Sequence, residues 1–272
     1  ISFVYKEMPV EGTRLEVYAD EDIATYDKQL DEEGNRITYY KKDDLVGSLI
    51  TDADGKAVLD GLPIGSYRVV EVSVPAPFVI YPEAIRFEIT YDTPLVTAKV
   101  DCSGNGKVVF HNDRQKQLIR IRKLEEGTEK AVEGAVFGLF AAEDIYGVNG
   151  NLLLEEGSLI RKGVSASDGI VDFGDDLPIS TYRIEELGAI GYLTMEKKDA
   201  DGIYERKGIV FETAYSGADK GEVLYTAVIH NKPTEVKISK VEASGGKELP
   251  GANMAIKDRN GNIVEEWVST EE

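Results

Sequence analysis

A lysine, a glutamate and an asparagine recur in this sequence on the strand phase that otherwise carries apolar side chains. Together they are the reactants of an amide bond. Every second residue of a strand points to the same face. Ile119, Ile121 and Lys123 therefore share a face, while Arg120 and Arg122 point away; Val236, Ile238 and Lys240 repeat the pattern. Tyr67, Val69 and Glu71 share a face, as do Tyr182, Ile184 and Glu186. Val108, Phe110 and Asn112 do the same, and so do Ala227, Ile229 and Asn231. Buried Lys, Glu or Asn is costly unless paired. One account places them at strand ends, where side chains reach water. Recurrence of three residue types in one phase favours another: a Lys–Asn isopeptide bond inside the domain. Burial favours a neutral amine and a neutral carboxyl. The amine is then a nucleophile, and the carboxyl hydrogen-bonds the carboxamide and shuttles protons. Folding replaces a bimolecular encounter. An Nζ–Cγ bond forms, the Cγ–Nδ2 bond breaks, and ammonia leaves, once per molecule.

The candidate sites are Lys123 with Asn231, promoted by Glu186, and Lys6 with Asn112, promoted by Glu71. Ile1, Phe3 and Tyr5 form the apolar phase of the opening strand, and Lys6 lies on the other phase. Its use requires a bulge that shifts register. An absent bond, or a lysine outside this chain, remains open for that repeat. Lys240 is a third-repeat candidate with no matching acid or asparagine after it.

These residues must be placed by strands, and the strands come in repeats. Val10-Glu11-Gly12-Thr13-Arg14-Leu15, Val132-Glu133-Gly134-Ala135-Val136-Phe137 and Leu249-Pro250-Gly251-Ala252-Asn253-Met254 recur about 120 residues apart, the spacing of whole domains. Leu62-Pro63-Ile64 with Tyr67-Arg68 matches Leu177-Pro178-Ile179 with Tyr182-Arg183, and His111-Asn112 matches His230-Asn231. The domains are drawn at 1–115, 116–233 and a truncated 234–272. Asp54-Gly55, Asp168-Gly169 and Asn260-Gly261 are hairpin signals. They lack the ligand number and spacing of a calcium loop. Ala142-Glu143-Asp144-Ile145 is a place for a short helix. The pattern predicts an all-β chain of tandem antiparallel β-sandwich domains.

Composition narrows the function classes. The net charge of -19 over 272 residues argues against nucleic acid and against an anionic membrane surface. One cysteine, Cys102, cannot form an internal disulfide. No apolar run approaches the roughly 18 residues of a membrane span. The chain starts on Ile without a signal peptide and reads as a fragment of a longer protein. No cofactor or metal is expected.

The order of these motifs resembles the B-type repeats of collagen-adhesin and SpaA-type pilin proteins of Gram-positive bacteria. Lys123-Leu124-Glu125 and Lys240-Val241-Glu242 resemble the opening motif, and Gly134-Ala135-Val136-Phe137 the following strand. Tyr67 to Phe78 and Tyr182 to Tyr192 resemble the acid-bearing box. In the first, Pro77 and Phe78 replace Gly and Tyr; the second lacks the proline and is one residue short. The resemblance implies Ig-like, prealbumin-like sandwiches, export, and a cell-wall-anchored surface location. It implies attachment by a sortase through segments outside this chain. No pilin-type Tyr-Pro-Lys-Asn motif is present, so a stalk or spacer of an adhesin is expected rather than a polymerising shaft.

Two other classes make different demands on the sequence. A ligand-binding module for a host extracellular matrix protein or glycan would show clustered exposed aromatics. An enzyme would need a catalytic constellation. The two histidines, His111 and His230, occupy equivalent strand ends beside the asparagines, and no nucleophile-elbow or zinc-helix motif occurs.

Overall fold

The computed structural model describes residues 3, 7–25, 29–90, 108–194, 196–198, 204–206 and 208–270. Ile1, Tyr5, Lys6 and Cys102 lie outside them. The chain divides into two compact units, Ile1–Asn231 and Lys232–Glu272. Among the described residues every regular element is a strand.

The first repeat contains β1 (Arg14–Ala19), β2 (Ile23–Ala24), β3 (Thr38–Tyr40), β4 (Leu45–Ile50), β5 (Gly65–Ser73) and β6 (Ile85–Ile89). Its main sheet has the order β4-β1-β5-β6, antiparallel throughout, and β2 pairs with β3. Period-two alternation works as expected. Leu15, Val17 and Ala19 of β1 and Tyr67 and Val69 of β5 point inward with Ile23, and Phe87, Val108 and Phe110 pack against them. Val108, Phe110 and Asn112 alternate in burial with exposed Val109 and His111, but this segment joins no ladder among the described residues.

The second repeat contains β7 (Lys116–Glu125), β8 (Val136–Ala141), β9 (Ile145–Tyr146), β10 (Leu152–Leu154), β11 (Leu159–Val164), β12 (Ile170–Asp172), β13 (Thr181–Gly188), β14 (Glu196–Lys198), β15 (Tyr204–Arg206), β16 (Ile209–Glu212) and β17 (Glu222–Asn231). One sheet runs β11-β8-β13-β16 and the other β12-β7-β17. Ile119, Ile121, Phe137, Leu139, Val171, Tyr182, Ile184 and Ile229 fill the space between them, and Phe3 joins the same cluster. One pairing departs from an all-antiparallel sandwich. First strand β7 and last strand β17 run parallel, from Lys116 beside Glu222 to Glu125 beside Asn231. The chain thus enters this repeat at one end and leaves it at the other.

Both repeats share two local devices. The hydroxyl of Tyr67 donates to the Pro63 carbonyl at 2.6 Å, and that of Tyr182 to the Pro178 carbonyl at 2.5 Å. The Leu-Pro-Ile…Tyr box therefore pins the start of the acid-bearing strand. Glu21 accepts from the Ser66 amide and Glu143 from the Thr181 amide. This explains why Ala142–Ile145 is not helical. The Glu143 side chain caps a neighbouring strand while the backbone bends into β9.

In Lys232–Glu272, β18 (Asn253–Lys257) pairs with β19 (Ile263–Val268), with Met254 opposite Trp267. Val236, Ile238 and Lys240 are exposed and outside any strand. Their alternation implied a core face, but this hairpin is the unit's only strand pair among the described residues. It offers no second sheet to cover them.

Gly169 ties a turn to the site described below. It has φ +79°, and a Cβ there would lie 2.4 Å from the Lys123 carbonyl oxygen. Its own carbonyl accepts the Lys123 amide at 2.7 Å. Gly169→Ala is expected to destabilise the fold by about 1–3 kcal/mol, with an added cost from the clash. Gly150→Ala, at φ +76° but in open space, isolates the conformational part. Comparing the two by urea denaturation checks this.

Candidate functional site

Lys123 is fully buried, at 0% exposure, on β7. It follows Ile119 and Ile121 on the inward phase, so the pattern that builds the core also carries an amine into it. Its Nζ donates to the carbonyls of Leu124 at 3.1 Å and Ile229 at 3.3 Å. Ile229 is its neighbour in the parallel ladder, and Asn231 lies two residues further along the same inward face. Both oxygens of Glu186, on β13 of the facing sheet, accept from Asn231 Nδ2 at 2.7 and 2.8 Å. Glu186 and Asn231 are 2% and 3% exposed. Three strands thus deliver an amine, a carboxamide and a carboxyl to one dry place. Burial holds the Lys123 amine below the usual lysine range, and the Glu186 charge partly opposes that shift.

The first repeat places Glu71 on β5 with the same geometry: it faces Leu15 of β1 as Glu186 faces Phe137 of β8. Oε2 of Glu71 accepts from Asn112 Nδ2 at 2.7 Å and from the Tyr81 amide, and Asn112 also donates to the Val79 carbonyl at 2.9 Å. Oε1 of Glu71 is buried with no hydrogen-bond partner among the described residues. Burial raises the Glu71 carboxyl above its ordinary value, against the two hydrogen bonds that lower it. The structure brings Glu71 and Asn112 together; Lys6 is outside the described residues. Lys240 is exposed.

A scan against protein families matches residues 6–103 and 117–200 to the SpaA prealbumin-like fold domain, more than half of the chain. The chain belongs to the SpaA family of prealbumin-like domains. Among solved structures, the Bacillus anthracis TIE protein aligns with 98% of the chain at 20% identity and a TM-score of 0.49. The chain spans only 39% of that protein. The minor pilin of Streptococcus agalactiae aligns with 88% of the chain and 91% of its own, at 14% identity and a TM-score of 0.29. The shaft pilin SpaA of Lactobacillus rhamnosus GG aligns over 85% and 91%, at 14% identity and a TM-score of 0.32. No curated protein sequence matches the chain.

Around the two candidate sites of this SpaA-family chain lie polar residues that the alternation pattern did not single out. Gln117 shares the phase of Ile119, Ile121 and Lys123 and is 0% exposed; the period-two count that found Lys123 would have found it too. Its amide atoms have no partner among the described residues. Arg114 and Gln115, between the repeats, are 6% and 0% exposed. No periodicity reveals them, because they face a neighbouring domain rather than their own core. Tyr192, at the end of the acid-bearing box, donates its hydroxyl to Glu125 at 2.8 Å and braces the end of β7. The histidines sit at the rim: His230 is 3.1 Å from Glu129 and His111 is 3.9 Å from Glu7.

The depressed Lys123 value has a measurable consequence when no amide can form. In Asn231→Ala, the unfolded chain binds a proton on Lys123 that the folded chain releases earlier. Stability therefore rises with pH between the depressed value and the ordinary 10.5. Below that window both states are protonated, and the full burial cost of the cation remains. Urea midpoints against pH should rise more steeply in Asn231→Ala than in Lys123→Met/Asn231→Ala, which lacks the titrating amine.

Proposed function

We propose that the chain forms structural stalk or spacer repeats of a cell-wall-anchored Gram-positive surface adhesin, stabilised by intramolecular Lys–Asn amides that it makes itself. The repeats are taken as 1–115, 116–233 and a partial 234–272. The observation that carries this reading is the burial of Lys123, Glu186 and Asn231 together between the first, the acid-bearing and the last strands. Membership of the SpaA family supports it. Attachment by a sortase belongs to segments outside this chain.

In the second repeat the neutral Lys123 Nζ attacks Cγ of Asn231. Glu186, already on Nδ2, takes the proton from the attacking amine and returns it to the departing nitrogen, which leaves as ammonia. Parallel β7 and β17 aim both side chains at the same end, so the new bond joins the entering and leaving strands. Tension along the chain then passes from Lys123 to Asn231 and bypasses residues 124–230. A covalent bridge there acts as a disulfide does in other secreted proteins, by raising the barrier to unfolding. In the first repeat, Oε1 of Glu71 lacks a donor among the described residues, and Lys6 is the proposed amine. Lys240 is proposed to serve a third repeat only with an acid and an asparagine from outside this chain.

A second reading, a module binding a host matrix protein or glycan, is favoured by a hollow on the first repeat. It is lined by Tyr39, Tyr40, Leu62, Pro63 and Ile64, with Tyr39 56% exposed. Glycan-array binding lost in Tyr39→Ala would support that reading.

Intact mass under denaturing conditions tests the amide. Each bond removes about 17 Da as ammonia. Peptide mapping is expected to find Lys123 joined to Asn231, and Glu186→Ala to restore that ammonia. A second loss mapped to Lys6 and Asn112 would mark the first repeat as closed. A chain of full sequence mass would sink the self-cross-linking mechanism.

A further inference from the structure

The first repeat's site is built from a segment that the second repeat holds. Asn112 and Glu71 are gripped by the Val79 carbonyl and the Tyr81 amide. The backbone on either side of those groups is docked from across the junction. The Tyr215 hydroxyl donates to the Phe78 carbonyl at 2.8 Å, and the Ile80 amide donates to the Ala218 carbonyl at 2.9 Å. Gln115 locks both partners. Its amide donates to the Pro77 carbonyl at 2.8 Å, its Nε2 to the Gly217 and Lys220 carbonyls at 3.0 and 2.7 Å, and its Oε1 accepts the Ser216 amide at 2.9 Å. Arg114, opposite Phe78 in an isolated bridge, reaches Asp176 at 2.6 Å and the Leu177 carbonyl at 3.1 Å.

We propose that the second repeat completes the first repeat's amide-forming site, with Gln115, Tyr215 and the Ala218 carbonyl as positioning groups for Glu71 and Asn112. This rests on the self-cross-linking reading for its chemistry, but the geometry it invokes exists without a bond. A freed Phe78–Tyr81 segment loses its hold on the Asn112 carboxamide. It also admits water to Glu71, whose carboxyl is raised chiefly by burial. The second repeat's own site uses none of these groups. The two sites therefore mature in order: the second closes alone, and the first closes only after the second has folded and docked.

The test uses the full chain as wild type, Tyr215→Phe and Tyr215→Phe/Gln115→Leu. The mild single variant covers the case in which the double variant does not fold. Linkage of Asn112 and of Asn231 is followed by peptide mapping during cell-free synthesis. The Asn231 link is expected at an unchanged rate, while the Asn112 link slows by about ten- to a hundredfold in the double variant, the scale of a misplaced reactant. In parallel, the Glu71 carboxyl is titrated by carbon-13 NMR on an Asn112→Ala background, where no first-repeat link forms in any variant. Its midpoint is expected to move back towards 4.5 when the junction is opened. Equal Asn112 linkage in all chains, or an unmoved Glu71 midpoint, overturns the proposal. A wild-type chain without an Asn112 link would be a failure of the first-repeat chemistry. The titration then decides the positioning claim alone.

Discussion

Everything in the second repeat accommodates one buried lysine. An amine at zero exposure is tolerated only with partners, because isolated burial of its charge costs far more than any single contact returns. The partners come from separate parts of the fold. Carbonyls of Leu124 and Ile229 accept its hydrogen bonds, and Glu186 supplies an opposing charge from the facing sheet. Gly169 has no side chain, so the β12 turn can lie against the Lys123 backbone. The parallel β7–β17 ladder sets which residues of the last strand are in reach. An amide to Asn231 would remove the cost of a buried charge, by exchanging a titratable amine for a neutral linkage.

The two repeats solve the same problem with different amounts of their own structure. Each pins the acid-bearing strand with a Tyr hydroxyl on a proline carbonyl and caps it with an upstream glutamate. In the second repeat Asn231 belongs to a ten-residue strand and both its acceptors lie on Glu186. In the first, Asn112 sits outside any ladder among the described residues and leans on Val79 as well as Glu71. The junction supplies part of that support. There Gln115 and Arg114 replace solvent with backbone carbonyls and Asp176.

That junction joins polar contacts to the apolar packing of Phe3. Its hydrogen bonds run mostly to backbone carbonyls, whose positions are fixed by the strands that carry them. Such an interface specifies one orientation, because each donor left unpaired in another arrangement costs the desolvation of a buried group. This makes the first two repeats a continuous element rather than two beads on a tether.

The sequence by itself determined the period-two alternation, the glycine turns, the tandem repetition and the residues carried onto the core phase. These are local properties, and Lys123, Glu186 and Asn231 were legible because a strand's period is two wherever it sits. The same logic misread Val236, Ile238 and Lys240. Alternation shows which face a strand would bury but not whether a second sheet exists to bury it. Only the tertiary structure decided that β7 and β17 run parallel, that Glu143 caps a strand instead of opening a helix, and that Gln115 reaches across to the second repeat and Tyr215 to the first. Those outcomes depend on contacts between residues as much as 137 positions apart. They are set by strand order, register and domain docking, which leave no period in the chain.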